Sequence, residues 1–318
     1  MSGLGITRRR FGVLAAGSLL GLAHARRSEA AGPLADMPAG AIDCHNHIIG
    51  PQAKYPMAAN RTYTPPEASV AQLRALRAEL GVARNVLVTP SFYGFDNSCM
   101  LDAMAELGNS ARGVAVVPQD VPDAELKRLS GLGVTGARLN LATAGIRDPK
   151  AAIDAITAFA PRFAALNWHI QINTEPAVIG AIAPTVADLK VPVVFDHFGG
   201  AVAAEGVNQK GFGALIELVR GGNVYVKLSA PYDRSKRPDY ADILPFARAL
   251  IAARADRMLW GTNWPHPDAV AGRPITEISP YQKIDNPNLL RVFAQWCPDA
   301  AMRKMILVDT PQRLYRFV

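Results

Sequence analysis

Ala41-Ile42-Asp43-Cys44-His45-Asn46-His47-Ile48 is the stretch on which the fold turns. It opens apolar, ends in a cluster of polar groups, and breaks soon after at Gly50-Pro51. Successive strand side chains point to opposite faces. Read as a strand, it puts Asp43, His45 and His47 on one face and Cys44 and Asn46 on the other. A doubly wound nucleotide-binding sheet needs a Gly-rich phosphate loop after its first strand. Neither a G-x-G-x-x-G nor a Walker pattern follows here.

Seven more short β-branched runs follow, at 85–89, 113–117, 136–140, 169–173, 193–197, 224–229 and 258–263. Between them lie helical patterns at 69–80, 97–107, 123–131, 149–166, 177–189, 211–220 and 240–253. Strands alternating with helices of this length mean βαβ units and a parallel sheet. Eight units without a domain break predict a single α/β domain, a (β/α)8 TIM barrel over residues 41–318. The last stretch, 288–318, reads as helical and supplies the final barrel helix and a cap.

Composition agrees. Hydrophobic residues make up 49% and charged residues 19% of the 318, which excludes a disordered chain. Three cysteines cannot build a disulfide framework; a Cys99–Cys297 pair is left open, and Cys44 reads as an outward-facing filler. The net charge is +7, and Arg8, Arg9 and Arg10 supply three of those charges. No basic run interleaved with aromatics appears in the remainder, so no nucleic-acid partner is expected. A mildly cationic body fits a small anionic substrate.

Those arginines belong to a leader. Thr7-Arg8-Arg9-Arg10-Phe11-Gly12 precedes an apolar stretch at 13–23, the order of a signal peptide. The stretch is shorter than the ~20 residues that span a bilayer, so no stable membrane anchor is expected after its removal. The pattern resembles a twin-arginine export signal over residues 1–30, with cleavage after Ala25 or near Ala30 and residues 31–40 as a linker. It implies passage through the twin-arginine export machinery and a periplasmic or secreted protein.

Polar residues recur where the strands end. The same alternation puts Arg138 and Asn140 inside on the fourth strand, and His169, Gln171 and Asn173 on the fifth. His197 closes the sixth, Lys227 and Ser229 the seventh, and Asn263 the eighth. Unpaired interior polar groups are costly, and barrel active sites lie at the C-terminal mouth. The pattern therefore points to a site rather than to packing. His169 sits deeper, and a structural role stays open for it. Trp260 should pack outward and Trp264 line the mouth. His266 either orients a neighbour or touches substrate.

With Asp43-x-His45-x-His47, Asp196-His197 and Trp260-Gly261-Thr262-Asn263-Trp264-Pro265-His266, the chain resembles the amidohydrolase superfamily. Within it, the chain is similar to the amidohydrolase-2 branch of 2-pyrone-4,6-dicarboxylate lactonases, related lactone hydrolases and sugar-lactone isomerases. Tyr63-Thr64-Pro65-Pro66 and Val308-Asp309-Thr310-Pro311-x-Arg313-Leu314-Tyr315 extend the resemblance. It implies a barrel that hydrolyses esters, lactones or amides. Metal-dependent members hold divalent ions with a first-strand His pair, histidines on strands five and six and a strand-eight Asp. Some add a carboxylated strand-four Lys or a Glu. His45, His47 and His197 match that set. Asn173 stands in place of the fifth-strand His, Arg138 where a bridging Lys would be, and Asn263 in place of the Asp.

These departures shape the expected chemistry. The expected activity is hydrolytic opening of a small, carboxylated lactone or ester. His45, His47 and His197 would donate hydrogen bonds to its carbonyl oxygen, where charge grows in the transition state. Asn263 would orient the nucleophile. Arg138 matches a carboxylate bidentately, unless it and Lys227 form internal ion pairs. Tyr63, Gln171, Asn173, Lys227, Arg234 and His266 complete the expected substrate-binding set. Asn263 cannot take a proton, so either a His is the base or a substrate hydroxyl attacks and one lactone becomes another. No tightly bound cofactor is expected; the alternative is one divalent metal such as zinc on His45, His47 and His197. A metal-dependent decarboxylase and a non-catalytic exported binder are the remaining alternatives.

Overall fold

The computed structural model describes Leu34 and residues 36–318. The expected export signal and part of the expected linker lie outside the described residues. Eight strands form one parallel sheet in chain order. They are β1 (Ile42–Asn46), β2 (Arg84–Val88), β3 (Ala111–Ala115), β4 (Val134–Leu139), β5 (His169–Ile172), β6 (Val193–Phe195), β7 (Val224–Ser229) and β8 (Met258–Gly261). Past their ends β8 meets β1. The Asn263 N–H donates to His45 O and the His47 N–H to Trp264 O, each at 2.9 Å.

Helices α1 (Val70–Leu80), α2 (Ser98–Leu107), α3 (Asp123–Gly131), α4 (Pro149–Ala164), α5 (Pro176–Ala187) and α6 (Phe212–Gly221) separate β1 to β7. A short turn α7 (Pro231–Arg234) and then α8 (Leu244–Arg254) separate β7 from β8. This is the (β/α)8 barrel. The chain continues through α9 (Asn286–Trp296), α10 (Ala300–Lys304), a π-helical turn (Met305–Asp309) and α11 (Thr310–Leu314).

Local chemistry sets the boundaries. Before α1, the Ser69 hydroxyl accepts from the Gln72 N–H while the Gln72 side chain accepts from the Ser69 N–H, a capping box. The same helix stops at Gly81, whose φ of 70° suits a residue without Cβ. Asp148, Asp285 and Asp299 cap α4, α9 and α10 with their carboxylates. β3 begins two residues earlier than its β-branched run, because its first half is Ala111-Arg112-Gly113. β-propensity does not register such residues; pairing with β2 does.

The sheet has two apolar faces. Ile170, Ile172, Phe195, Val226 and Trp260 face outward, with Ile156, Phe159, Ile179, Leu215 and Phe293 from the surrounding helices. Trp260 thus packs outward as expected, with its ring 6.2 Å from that of Phe293. Ile42, Cys44, Val86, Val88, Val114, Val194, Tyr225 and Leu259 form the inner cluster, joined by Leu314, Tyr315 and Phe317 from the C-terminal segment. His169 lies here, its ring edge-on to Tyr315 at 5.2 Å.

This arrangement corrects the simple alternation of β1. Cys44 points into the barrel, not toward the helices. Asp43 pairs with Asn85 but Asn46 pairs with Leu87, so β1 fits three residue steps against two of β2. Such a bulge reverses the alternation beyond it. Asp43 therefore does not share a face with His45. Its carboxylate instead accepts from the Thr262 N–H at 3.0 Å, the Thr262 hydroxyl at 2.6 Å and Asn46 Nδ2 at 2.8 Å, tying β1 to the segment after β8. All three cysteines are free, so Cys99 and Cys297 form no bridge.

Candidate active site

Three consecutive strands, β6 to β8, end in left-handed backbone at residues that carry a Cβ. His197 and Phe198 have φ of 50° and 58°, Ala230 51°, and Asn263 and His266 63° and 67°. Each such residue costs of order 1–3 kcal/mol, and strain of this kind collects at functional sites. Here the turns redirect the chain at the C-terminal mouth, where His197 and Asn263 leave their strands.

His45, His47 and His197 converge. The His45 ring centroid lies 5.0 Å from that of His47 and 4.8 Å from that of His197. His47 is 4% and His197 7% exposed, whereas His45 is fully enclosed, so a small molecule first meets His47 and His197. Burial is the main cause that lowers all three pKa values: His47 to about 4, His197 to about 3, and His45 well below its usual range. All three rings are therefore neutral at pH 7.

Beneath them sits a buried charge group in which the expected Arg138, Gln171 and Lys227 surround a residue not expected in the site. Its hub is Asp196, the inward residue two positions after Val194 on β6. Asp196 Oδ2 accepts from Arg138 Nε at 2.8 Å and from Gln171 Nε2 at 3.1 Å. Lys227 Nζ, fully buried, donates to Gln171 Oε1 at 2.8 Å and to His45 Nδ1 at 3.1 Å. Asp196 Oδ1 lies 3.3 Å from His45 Nδ1 and 3.4 Å from Lys227 Nζ, without hydrogen-bond angles to either. Since His45 is neutral, its proximity to Asp196 is not an ion pair. Burial alone would raise the Asp196 pKa; Lys227 and Arg138 overcome it and hold the carboxyl well below its usual range. Burial also lowers Lys227, against the pull of Asp196. Two cationic side chains thus share one carboxylate.

The hydrogen bonds give the histidines different characters. An ammonium can only donate. His45 Nδ1 therefore accepts from Lys227, and the neutral ring carries its proton on Nε2, which is buried and has no partner among the described residues. His47 Nδ1 lies 2.7 Å from the Val88 carbonyl, which can only accept. Its proton is on Nδ1, and Nε2 presents a lone pair. His197 Nδ1 lies 2.9 Å from the Ser229 hydroxyl, which can serve either tautomer.

The other expected residues separate into groups. Arg138, 6% exposed, gives only its Nε to Asp196 and makes no other side-chain hydrogen bond to a described residue. Gln171 and Lys227 are fully engaged within the charge group. Asn263 Nδ2 donates to the Tyr232 hydroxyl at 3.0 Å. Both ring nitrogens of His266 are occupied, by Tyr232 at 2.8 Å and Asn286 at 2.9 Å, so it orients neighbours rather than touching substrate. Arg234 Nη1 donates to Gly200 O at 3.3 Å and its charge helps lower His197. Half-buried Tyr63 packs edge-on to Phe92 at 5.6 Å, its phenol within the influence of Arg138. Asn173 Nδ2 donates to the Thr143 hydroxyl at 3.3 Å. His169 joins the barrel floor instead, with both ring nitrogens unpartnered among the described residues. Trp264 lines a separate cavity of about 480 Å³ beside α1. A cavity of about 460 Å³ opens beside the end of β4, lined by Arg61, Ser91, Tyr93, Asn140 and Thr143 among others.

Among the described residues, His45, Asp196 and His197 are the group that can hold a metal ion, their ligand atoms within 4.8 Å of one another. Of the expected set, His45 and His197 belong to this group together with Asp196, while His47 lies outside it and keeps the lone pair of its Nε2.

The profile of the family described as amidohydrolase matches residues 42–317. A 2-pyrone-4,6-dicarboxylate hydrolase of Comamonas testosteroni is 37% identical over 294 residues, covering 89% of this chain and 92% of the relative. A 4-sulfomuconolactone hydrolase of Rhizobium radiobacter is 34% identical, covering 88% and 91%. A D-galactarolactone isomerase of Agrobacterium fabrum is 26% identical, covering 92% and 96%. The crystal structure of a putative 2-pyrone-4,6-dicarboxylic acid hydrolase from Pseudomonas putida superposes with a TM-score of 0.74 at 29% identity, covering 88% of this chain and 99% of that one.

Proposed function

We propose that this chain, which belongs to the amidohydrolase family, is an enzyme that opens small anionic lactones by hydrolysis at the mouth of its barrel. The observation that carries this reading is the convergence of His45, His47 and His197 above a charge group with two cations and one carboxylate. The lactone-hydrolysing relatives support the bond type. In this reading His47 Nε2, the basic nitrogen, takes a proton from water as the water oxygen bonds to the lactone carbonyl carbon. His45 Nε2–H donates to the carbonyl oxygen as charge grows there, and Lys227 behind His45 Nδ1 strengthens that donor. The ring C–O bond then breaks, and the proton held by His47 passes to the leaving oxygen. Arg138 holds a substrate carboxylate with its free terminal nitrogens, and Asn263 Oδ1 accepts the second hydrogen of the attacking water. Only two of the three expected carbonyl donors remain available, since neutral His47 cannot donate from Nε2.

The reaction as proposed runs without a tightly bound metal. What supports this is the company Asp196 keeps: Arg138 at 2.8 Å and Lys227 at 3.4 Å already compensate the one carboxylate. A divalent ion on His45, Asp196 and His197 would add its charge to both cations, and its strand-eight ligand would be the neutral Asn263 rather than a carboxylate. A second reading, lactone isomerisation, is favoured by that same Asn263 and by the isomerase among the relatives. There the attacking oxygen is a hydroxyl of the substrate itself.

A panel of carboxylated and sugar lactones tests both, followed by proton release and by NMR of the product. Ring-opened acid is expected; a migrated ring would establish the second reading, and no turnover of any lactone would refute both. The leader pattern remains part of the proposal and places the enzyme's work in the periplasm or outside the cell.

A further inference from the structure

We propose that Tyr232, His266 and Asn286 are positioning residues that hold the Asn263 carboxamide in one orientation, with its oxygen presented to the nucleophile. This rests on the reading of Asn263 as a site residue. Asn263 Nδ2 lies 3.0 Å from the Tyr232 oxygen, that oxygen 2.8 Å from His266 Nδ1, and His266 Nε2 2.9 Å from Asn286 Oδ1.

The direction of the chain follows from counting protons. An amide nitrogen can only donate, so the Tyr232 oxygen accepts from Asn263. The phenol has one hydrogen, and the other polar atom within reach is His266 Nδ1. That nitrogen must be unprotonated, so the ring proton sits on Nε2 and goes to Asn286 Oδ1, which can only accept. With the Asn263 and Asn286 amides oriented as they are, all three links are satisfied in this sense. Asn263 Oδ1 is left without a partner among the described residues, on a residue that is 7% exposed.

The consequence is chemical. A carboxylate at this position would accept a hydrogen bond through either oxygen, and could take a proton. A free carboxamide could turn its NH2 to the nucleophile instead and donate to the oxygen lone pair that must attack. The chain from Asn286 removes that choice and makes Asn263 a fixed hydrogen-bond acceptor for an O–H, whether of water or of a substrate hydroxyl. Two of the turns involved, at Asn263 and His266, are the strained left-handed positions after β8, so backbone and side chains hold the same geometry.

The test begins with full-length protein carrying 15N-histidine, and long-range 1H–15N correlation at neutral pH. His266 is expected as the Nε2–H tautomer; the Nδ1–H tautomer would reverse every link and overturn the proposal. This readout needs no substrate, so it stands even if no lactone is turned over and the functional reading fails. Where a lactone substrate is found, Tyr232→Phe is expected to lower kcat about tenfold, the loss of one oriented hydrogen bond, with KM within about twofold. If Tyr232 acts through Asn263, the Tyr232→Phe/Asn263→Ala double variant is no slower than Asn263→Ala alone. Losses that multiply in the double variant would overturn the relay and leave Tyr232 a structural residue.

Discussion

Replacing Lys227 by Met removes one positive charge from the centre of the barrel and leaves its volume nearly filled. At 3.4 Å from Asp196, and with an effective dielectric of about 20, the lost attraction is ~5 kcal/mol. Breaking one partner of a buried pair costs about 3–5 kcal/mol by experiment. Asp196 keeps Arg138 at 2.8 Å, which places the expected cost at the low end, ~3 kcal/mol, or a Tm lower by roughly 6–12 °C. The catalytic effect should be larger than the stability loss implies. Without the ammonium, His45 Nδ1 has lost its donor and faces Asp196 at 3.3 Å. The ring proton then moves to Nδ1, and Nε2 offers the carbonyl a lone pair instead of an N–H. Loss of one such donor lowers kcat by about 10²–10³. Thermal melting by circular dichroism and kcat on the best lactone of the panel measure the two effects. A folded Lys227→Met variant with kcat within about threefold of wild type would refute the assignment of His45 as the carbonyl donor.

Four further outcomes are expected. His197→Ala should abolish turnover while the protein stays folded, because the ring is one of the two partly exposed imidazoles that incoming substrate meets first; undiminished kcat would remove it from the site. Asn263→Asp should change the ratio of ring opening to ring migration, by supplying a group that can take the nucleophile's proton, and NMR of the products reads that ratio. Stability should fall as pH drops below about 6.5. His47 and His266 titrate at about 4 and His197 and His169 at about 3 in the folded protein, whereas the unfolded chain takes up those protons near the ordinary imidazole value of about 6.5. Between these limits the unfolded state binds more protons, so each imidazole lowers stability by ~1.4 kcal/mol per pH unit descended. A Tm that is flat from pH 7 to 5 would contradict the buried neutral state. Export can be checked by replacing Arg8 and Arg9 with Lys, which should keep the protein in the cytoplasmic fraction.

The barrel was legible in the chain because its signals are local. Eight apolar runs alternating with helical patterns are written in the order in which the strands pair, and parallel neighbours in a barrel are sequence neighbours. The histidines were legible for a related reason: His45, His47 and His197 stand at strand ends, and in this fold every strand end points to the same mouth. What alternation alone misplaced was Cys44 and Asp43, since a bulge in β1 is a mismatch with β2 and has no mark in either sequence. Asp196 was visible beside His197, but its importance lies in three partners from β4, β5 and β7. The proton positions of His45, His47 and His266 were set by Lys227, Val88, Tyr232 and Asn286, residues 20 to 182 positions away in the chain. Periodicity carries which face a side chain takes, because that is a property of neighbouring residues. Which atom of that side chain carries a proton depends on the group across the barrel, and only the closed fold brings that group within 3 Å or so of it.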